Sequence, residues 1–216
     1  MLEIQSLFPS PVFSEIVDDL DSDKLQKDKI IFKKIEHQGY NNLSEISEDE
    51  RLVIMKSIMN VKHKPYVTIS GDAVSSYNLK YSYDFIEKNI LNRLENKINE
   101  YARVYGISDT LKLDNIWSNI QNSGSVLEEH SHPNSYISGS LYINVNDSCS
   151  LTFHNPNPYL YFTNFIERTA FSFEWYKYPV KNCDLLLFPS WLRHGHHKHI
   201  NQMNNRIIVS FNFGLG

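Results

Sequence analysis

Nine histidines are present, and seven of them fall after residue 129. They form two groups, His130-Ser131-His132 and His194-Gly195-His196-His197-Lys198-His199, with His154 between them. On a strand, residues two apart point to the same face, so His130 and His132 can grip one ion together. A third ligand has to come from elsewhere in the fold, and the second group supplies one. Imidazole suits iron, zinc, copper and nickel, and neutral histidines in a facial arrangement with open positions are a pattern of non-haem iron oxygenases. The carboxylate of that pattern is absent or replaced by His132. Glu128 and Glu129 precede the pair and would reach its ion only through a bend in the chain. Since one further ligand completes the set, the remaining second-group histidines are expected to flank the site. His37, His63 and His154 are expected to be ordinary surface or hydrogen-bonded core residues.

Such a site needs a rigid scaffold, and the composition allows one. The chain has 216 residues, 41% hydrophobic and 13% aromatic, enough for a sizeable core in a single domain. Net charge is −4 with no basic block, so nucleic-acid binding has little electrostatic support. Cys149 and Cys183 show no metal-type spacing and fit a reducing compartment. The N-terminus has no signal-peptide pattern, and no apolar run reaches membrane-spanning length. The expected location is the cytoplasm.

The chain divides near Gly106. Before it, Pro9 and Pro11 keep the Leu7–Phe13 stretch extended. Asp21 or Ser22 fits the cap of a short helix running toward Lys34. Ser47 and Glu50 form a capping-box pattern ahead of Leu52, Val53, Ile54, Ile58 and Met59. The stretch 62–80 reads as irregular, with a short strand near Tyr66–Ile69. A longer helix is expected from about Tyr83 to Tyr105, with Phe85, Ile86, Leu91, Leu94, Ile98, Tyr101 and Ala102 at three-to-four spacing and Gly106 as its stop. After Gly106, short segments alternate with turn residues: Leu111–Ile120, Tyr136–Val145, Cys149–Phe153, Phe171–Tyr176, Asp184–Phe188 and Arg206–Phe213. Many short strands broken by turns point to a sandwich or barrel. The expected organisation is one domain, 1–216, with a mainly helical support region over about 1–106 and a β core over about 107–216.

The stretches HSHPNSYISGSLYINV (130–145) and DLLLFPSWLRH…RIIVSFNF (184–213) resemble the 2-oxoglutarate/iron(II) dioxygenases of the bacterial and phage type. LFPSPVF (7–13) and Trp117-Ser118-Asn119 also look like that family. More distantly, the order of parts is similar to the prolyl hydroxylases, which have a His-x-Asp, a strand ending Tyr-Leu-Asn, a distal His and a basic residue on the last strand. The resemblance implies an α+β fold, a double-stranded β-helix (a jelly-roll or cupin-like barrel) with the N-terminal helical region packed on it. It implies an oxygenase that uses iron(II), 2-oxoglutarate and dioxygen to hydroxylate a small-molecule or peptide substrate. His130 matches the first metal ligand, and His132 stands where relatives have the aspartate. His194 matches the distal ligand, Tyr142 a tyrosine that contacts the cosubstrate, and Arg206 the residue that holds its far carboxylate. A guanidinium suits that role because it is always charged and can bind a carboxylate with two hydrogen bonds. On a strand starting at Arg206, residues Ile208, Ser210 and Asn212 would share its face.

Two other readings stay open on the residues alone. Gly124-x5-His130-x-His132 fits the start of the first cupin motif, although Pro133, Asn134, Ser135 and Tyr136 follow where a glutamate is expected. A three-histidine metalloenzyme of that kind would not need 2-oxoglutarate. A non-catalytic metal- or ligand-binding barrel is the third. Tyr159, Tyr161, Phe162, Phe165, Trp175, Tyr176 and Tyr178 fit a substrate mouth, a homodimer surface or a packed insert, of which packing is expected.

Overall fold

The computed structural model describes residues 46–77, 79, 90–104, 106–146, 149–169 and 172–215. The expected N-terminal arm, the helix capped by Asp21 or Ser22, and the first part of the helix beginning at Tyr83 lie outside the described residues. The chain groups into a larger unit, Asn42–His154 with Lys177–Gly216, and a smaller one that takes in Asn155–Tyr176.

In the larger unit the capping box closes as the sequence predicts. Helix α1, Glu48–Met59, starts from Ser47, whose hydroxyl accepts from the Glu50 amide at 3.2 Å while the Glu50 carboxylate accepts from the Ser47 amide at 2.8 Å. The two bonds satisfy donors that the first helical turn cannot pair internally. Ile54 and Ile58 are fully buried. Arg51 is buried too, held by Glu48 and donating to the Ile143 carbonyl at 2.7 Å, which fastens α1 to the sheet. Helix α2, Leu91–Val104, buries Leu94, Ile98, Tyr101 and Ala102 on one stripe. Gly106 follows in the left-handed region, at φ +75°, and ends it. The Asn99 side chain accepts from the Leu111 amide at 2.8 Å and ties α2 to the first long strand.

Among the described residues the strands are, in chain order, β1 Ile69–Ser70 and β2 Ala73–Ser75 between the two helices, then β3 Leu111–Gln121, β4 Val126–Leu127, β5 Ile137–Asn144, β6 Leu151–His154, β7 Trp175–Tyr178, β8 Leu185–Pro189, β9 His194–Gly195 and β10 Arg206–Leu215. The strand expected near Tyr66 is instead the short β1, followed by β2. The strand expected over Phe171–Tyr176 begins at Trp175. The main sheet runs β2-β3-β10-β5-β8, and all its pairings are antiparallel. β10 is the central strand. Its Ile207, Val209, Phe211 and Phe213 are buried on one side, while Arg206, Ile208, Ser210 and Asn212 line a cavity on the other. Across that cavity β6 pairs with β9, and β1 with β4.

In the smaller unit a 3-10 turn, Pro158–Tyr161, is capped by the Asn157 side chain. The Arg168 guanidinium donates to the Ser172 carbonyl at 2.7 Å, pairs with Glu174 at 2.6 Å and lies 4.5 Å from the Phe165 ring centre. Polar groups therefore hold this loop, and Leu160 is the residue its turn buries. Tyr159 and Phe162 are 75% and 85% exposed and do not show the expected packing, whereas Tyr176 and Tyr178 are half-buried.

Candidate metal centre

The ladder brings the two histidine groups face to face. The His130 amide donates to the His194 carbonyl at 3.0 Å, and the His194 amide donates to the His130 carbonyl at 2.9 Å. β9 can approach this closely because residue 195 is glycine. A Cβ there would lie 2.8 Å from the Leu127 carbonyl oxygen and 2.9 Å from that of Glu128. His132 is anchored separately, its amide donating to the Ser190 carbonyl at 2.8 Å. The three rings converge: His130 and His194 centres are 4.5 Å apart, His130 and His132 5.0 Å, and His132 and His194 5.3 Å. One ligand atom from each lies within 4.8 Å of the other two.

The ring orientations suit a cation. His130 Nδ1 is 2.8 Å from the Glu128 carbonyl, and His194 Nδ1 is 2.8 Å from the Leu192 carbonyl. A carbonyl only accepts, so Nδ1 carries the proton and Nε2 is left with its lone pair. Metal-ligating histidines are oriented in this way. Burial holds all three rings below the usual histidine range, reinforced at His132 and His194 by their neighbours, and His132 is lowered to about 4. The rings are therefore neutral near pH 7, as ligation requires. The donor set fits a divalent transition metal.

The same cavity, about 260 Å³, holds the other expected residues. Arg206 is fully buried on its floor. Its guanidinium lies 5.9 Å from the Tyr142 ring centre and donates to Gln121 Oε1. Gln121 Nε2 in turn lies 3.0 Å from His196 Nε2. Burial first, and the Arg206 charge second, lower His196 to about 3, so its nitrogen accepts. This fixes the amide of Gln121 and, through it, Arg206. Burial pushes the Tyr142 hydroxyl well up, so it stays protonated. Among the described lining residues there is no carboxylate.

Sequence reasoning missed Gln121 and placed His196 merely as a flanking residue. The signal was present, since His196 stands two residues from His194 and shares its face. His154 and His197, expected to be bland and flanking, come together with Glu129 in a second cluster within the same 4.8 Å limit. His63 is half-buried and hydrogen-bonded to Val61 and Ser118. No helix among the described residues is long and apolar enough to cross a membrane.

Residues 115–212 match the family model described as "Putative 2OG-Fe(II) oxygenase". No curated protein matches the chain. Among solved structures, a 2OG-Fe(II) oxygenase family oxidoreductase from Burkholderia pseudomallei is similar at TM-score 0.58 and 12% identity, over 81% of this chain and 83% of that one. A prolyl-4-hydroxylase from Pseudomonas putida gives 0.55 and 11%, over 81% and 91%. HygX from Streptomyces hygroscopicus, solved with nickel and 2-oxoglutarate bound, gives 0.54 and 13%, over 80% of both chains. Residues 115–212 thus match the 2OG-Fe(II) oxygenase family model, on a chain that shares the double-stranded β-helix fold of these oxygenase structures.

Proposed function

We propose that His130, His132 and His194 hold iron(II), that Arg206 and Tyr142 seat 2-oxoglutarate, and that the protein hydroxylates a small molecule or peptide in the cytoplasm. One observation carries this reading. A single cavity presents three neutral imidazoles and a buried guanidinium, with no lining carboxylate among the described residues. Three neutral ligands leave a dication's charge uncompensated, and Arg206 adds another positive charge. A dianionic dicarboxylate complements both. Arg206 offers its far carboxylate a charge-assisted, two-point contact, and the protonated Tyr142 hydroxyl is a donor beside it.

Iron(II) bound by the histidines would supply dioxygen activation coupled to decarboxylation of 2-oxoglutarate and hydroxylation of a substrate C–H bond. The chain's own residues orient and exclude. Backbone carbonyls hold His130 and His194, Gln121 and His196 hold Arg206, and Phe188 packs 4.5 Å from the His194 ring centre and keeps water from that side. The substrate would enter over the wall of Tyr66, Tyr77 and Trp117, whose successive ring centres are 4.8 and 4.9 Å apart and which ends 5.7 Å from His132. Cys149 and Cys183, both buried, suit a reducing compartment.

Anaerobic titration tests this. Iron(II) and 2-oxoglutarate together are expected to give a weak visible charge-transfer band that neither gives alone. Arg206→Ala should weaken 2-oxoglutarate binding about thirty-fold or more, the usual cost of truncating one partner of a buried charge pair, and leave metal binding unchanged. Absence of the band with tight zinc binding instead, or unaltered 2-oxoglutarate affinity in the variant, would overturn the assignment.

A further inference from the structure

Glu129 immediately precedes His130, His154 ends β6, which pairs with the β9 of His194, and His197 follows β9 by two residues. Alternation along a strand points Glu129 away from His130, and His154 away from Phe153, whose ring centre is 6.3 Å from that of His194. The backbone here is fixed. The His154 amide donates to the Arg193 carbonyl at 2.9 Å, and the His196 amide donates to the Leu127 carbonyl at 2.9 Å. The rings of His154 and His197 stack at 5.1 Å with 18° between their planes. His154 is 94% buried, yet its Nε2 has no hydrogen-bond partner, and neither has the buried Nδ1 of His197. Thr152, two residues before His154 on the same face of β6, also leaves a buried hydroxyl oxygen unpartnered. Buried polar atoms left without partners cost free energy, and several on one patch call for a ligand.

We propose that Glu129, His154 and His197 form a second metal site, separate from the cavity triad, that takes a zinc-like divalent ion. Two imidazoles and a carboxylate match the donor preference of zinc and its first-row neighbours, with a position left for water. Around such an ion, ligand atoms stand roughly 3.3 Å apart at bond lengths of ~2 Å. From within 4.8 Å, small side-chain rotations reach that spacing. The Glu129 carboxylate is now paired with Arg193 at 2.6 Å and lies 3.5 Å from His154 Nδ1. Arg193 is 66% exposed, so it can swing into solvent when an ion arrives. An ion here would pin β6 and the segments around Glu129 and His197 from behind the triad. It need not take part in the reaction.

Anaerobic cobalt(II) titration of the chelator-stripped full chain, read by visible absorption and by metal retained after desalting, is the test. The wild type should bind two equivalents, Glu129→Gln and His197→Ala one each, and His194→Ala one with the opposite spectrum lost. Arg193→Gln, which frees the carboxylate without touching a ligand, should bind the second equivalent several-fold tighter. Unchanged stoichiometry and spectrum in Glu129→Gln and His197→Ala, with no tightening in Arg193→Gln, would overturn the proposal. If the triad reading failed instead, His194→Ala would leave cobalt binding intact while His197→Ala abolished it.

Discussion

His132 is the residue on which the proposed chemistry turns, because the resemblance to the prolyl hydroxylases sets it where their motif has an aspartate. A carboxylate there would cancel one unit of the metal's charge, whereas an imidazole cancels none. The site should therefore hold a neutral chelator more weakly and a dianion more strongly than a two-histidine, one-carboxylate site would. His132→Ala removes a ligand outright. Loss of even an outer partner of a ligand costs about 10–100-fold in metal affinity, so this variant is expected to lose at least the upper end of that range. His132→Asp should keep the metal and weaken 2-oxoglutarate, and isothermal titration of both ligands separates the two effects. Retained metal affinity in His132→Ala would remove His132 from the ligand set. Tyr142→Phe deletes only a hydroxyl and should cost 2-oxoglutarate affinity about tenfold, near the net worth of one hydrogen bond, with no change in metal affinity.

At the scale of elements, β9 is two residues long but decides the geometry, since His194 faces His130 only while Gly195 lets the two backbones meet. Gly195→Ala is expected to push β9 from the Leu127 and Glu128 carbonyls and cost several kcal/mol, the overpacking range and above. It should also lower metal affinity, read by titration in parallel with thermal unfolding. Unimpaired binding would show that the ladder between the two segments is dispensable. A second element-level prediction concerns His63. Its Nδ1 lies 2.8 Å from the Val61 carbonyl and therefore donates, so its Nε2 accepts from the buried Ser118 hydroxyl at 2.8 Å. Burial lowers its pKa below the ordinary value, so the folded protein takes up a proton less readily than the unfolded chain. Its contribution to stability is therefore full above about pH 6.5 and declines as the pH falls below it. Thermal midpoints measured from pH 7 down to 5 should fall less steeply in His63→Gln than in the wild type.

Across the whole molecule, what the sequence disclosed follows from how locally each feature is encoded. The capping box at Ser47 and the alternation Arg206, Ile208, Ser210, Asn212 are written in neighbouring residues, and both stand in the structure. The β core after Gly106 was legible for the same reason. The support of Arg206 by Gln121 and His196, and the meeting of Glu129, His154 and His197, join residues tens of positions apart that only the sheet pairing brings together. Spacing sets His196 on the face of His194, but no spacing rule announces the partners that these residues meet. That long-range wiring also gives ligand binding a global effect. The triad comes from the segment before β5 and from β9, while Arg206 opens the central strand β10, so on the proposed function metal and 2-oxoglutarate would link the two sides of the cavity in the folded state alone. A ligand at a hundred times its Kd then adds about 2.7 kcal/mol, which for a chain of this size raises the thermal midpoint by roughly 5–10 °C. With manganese(II) as a redox-quiet probe, 2-oxoglutarate should give its rise only after metal has been added. Arg206→Ala should keep the metal increment and lose the 2-oxoglutarate one, whereas His194→Ala should lose the 2-oxoglutarate increment because its metal anchor is gone. A rise from 2-oxoglutarate of equal size with and without metal would mean that the dicarboxylate binds away from the triad.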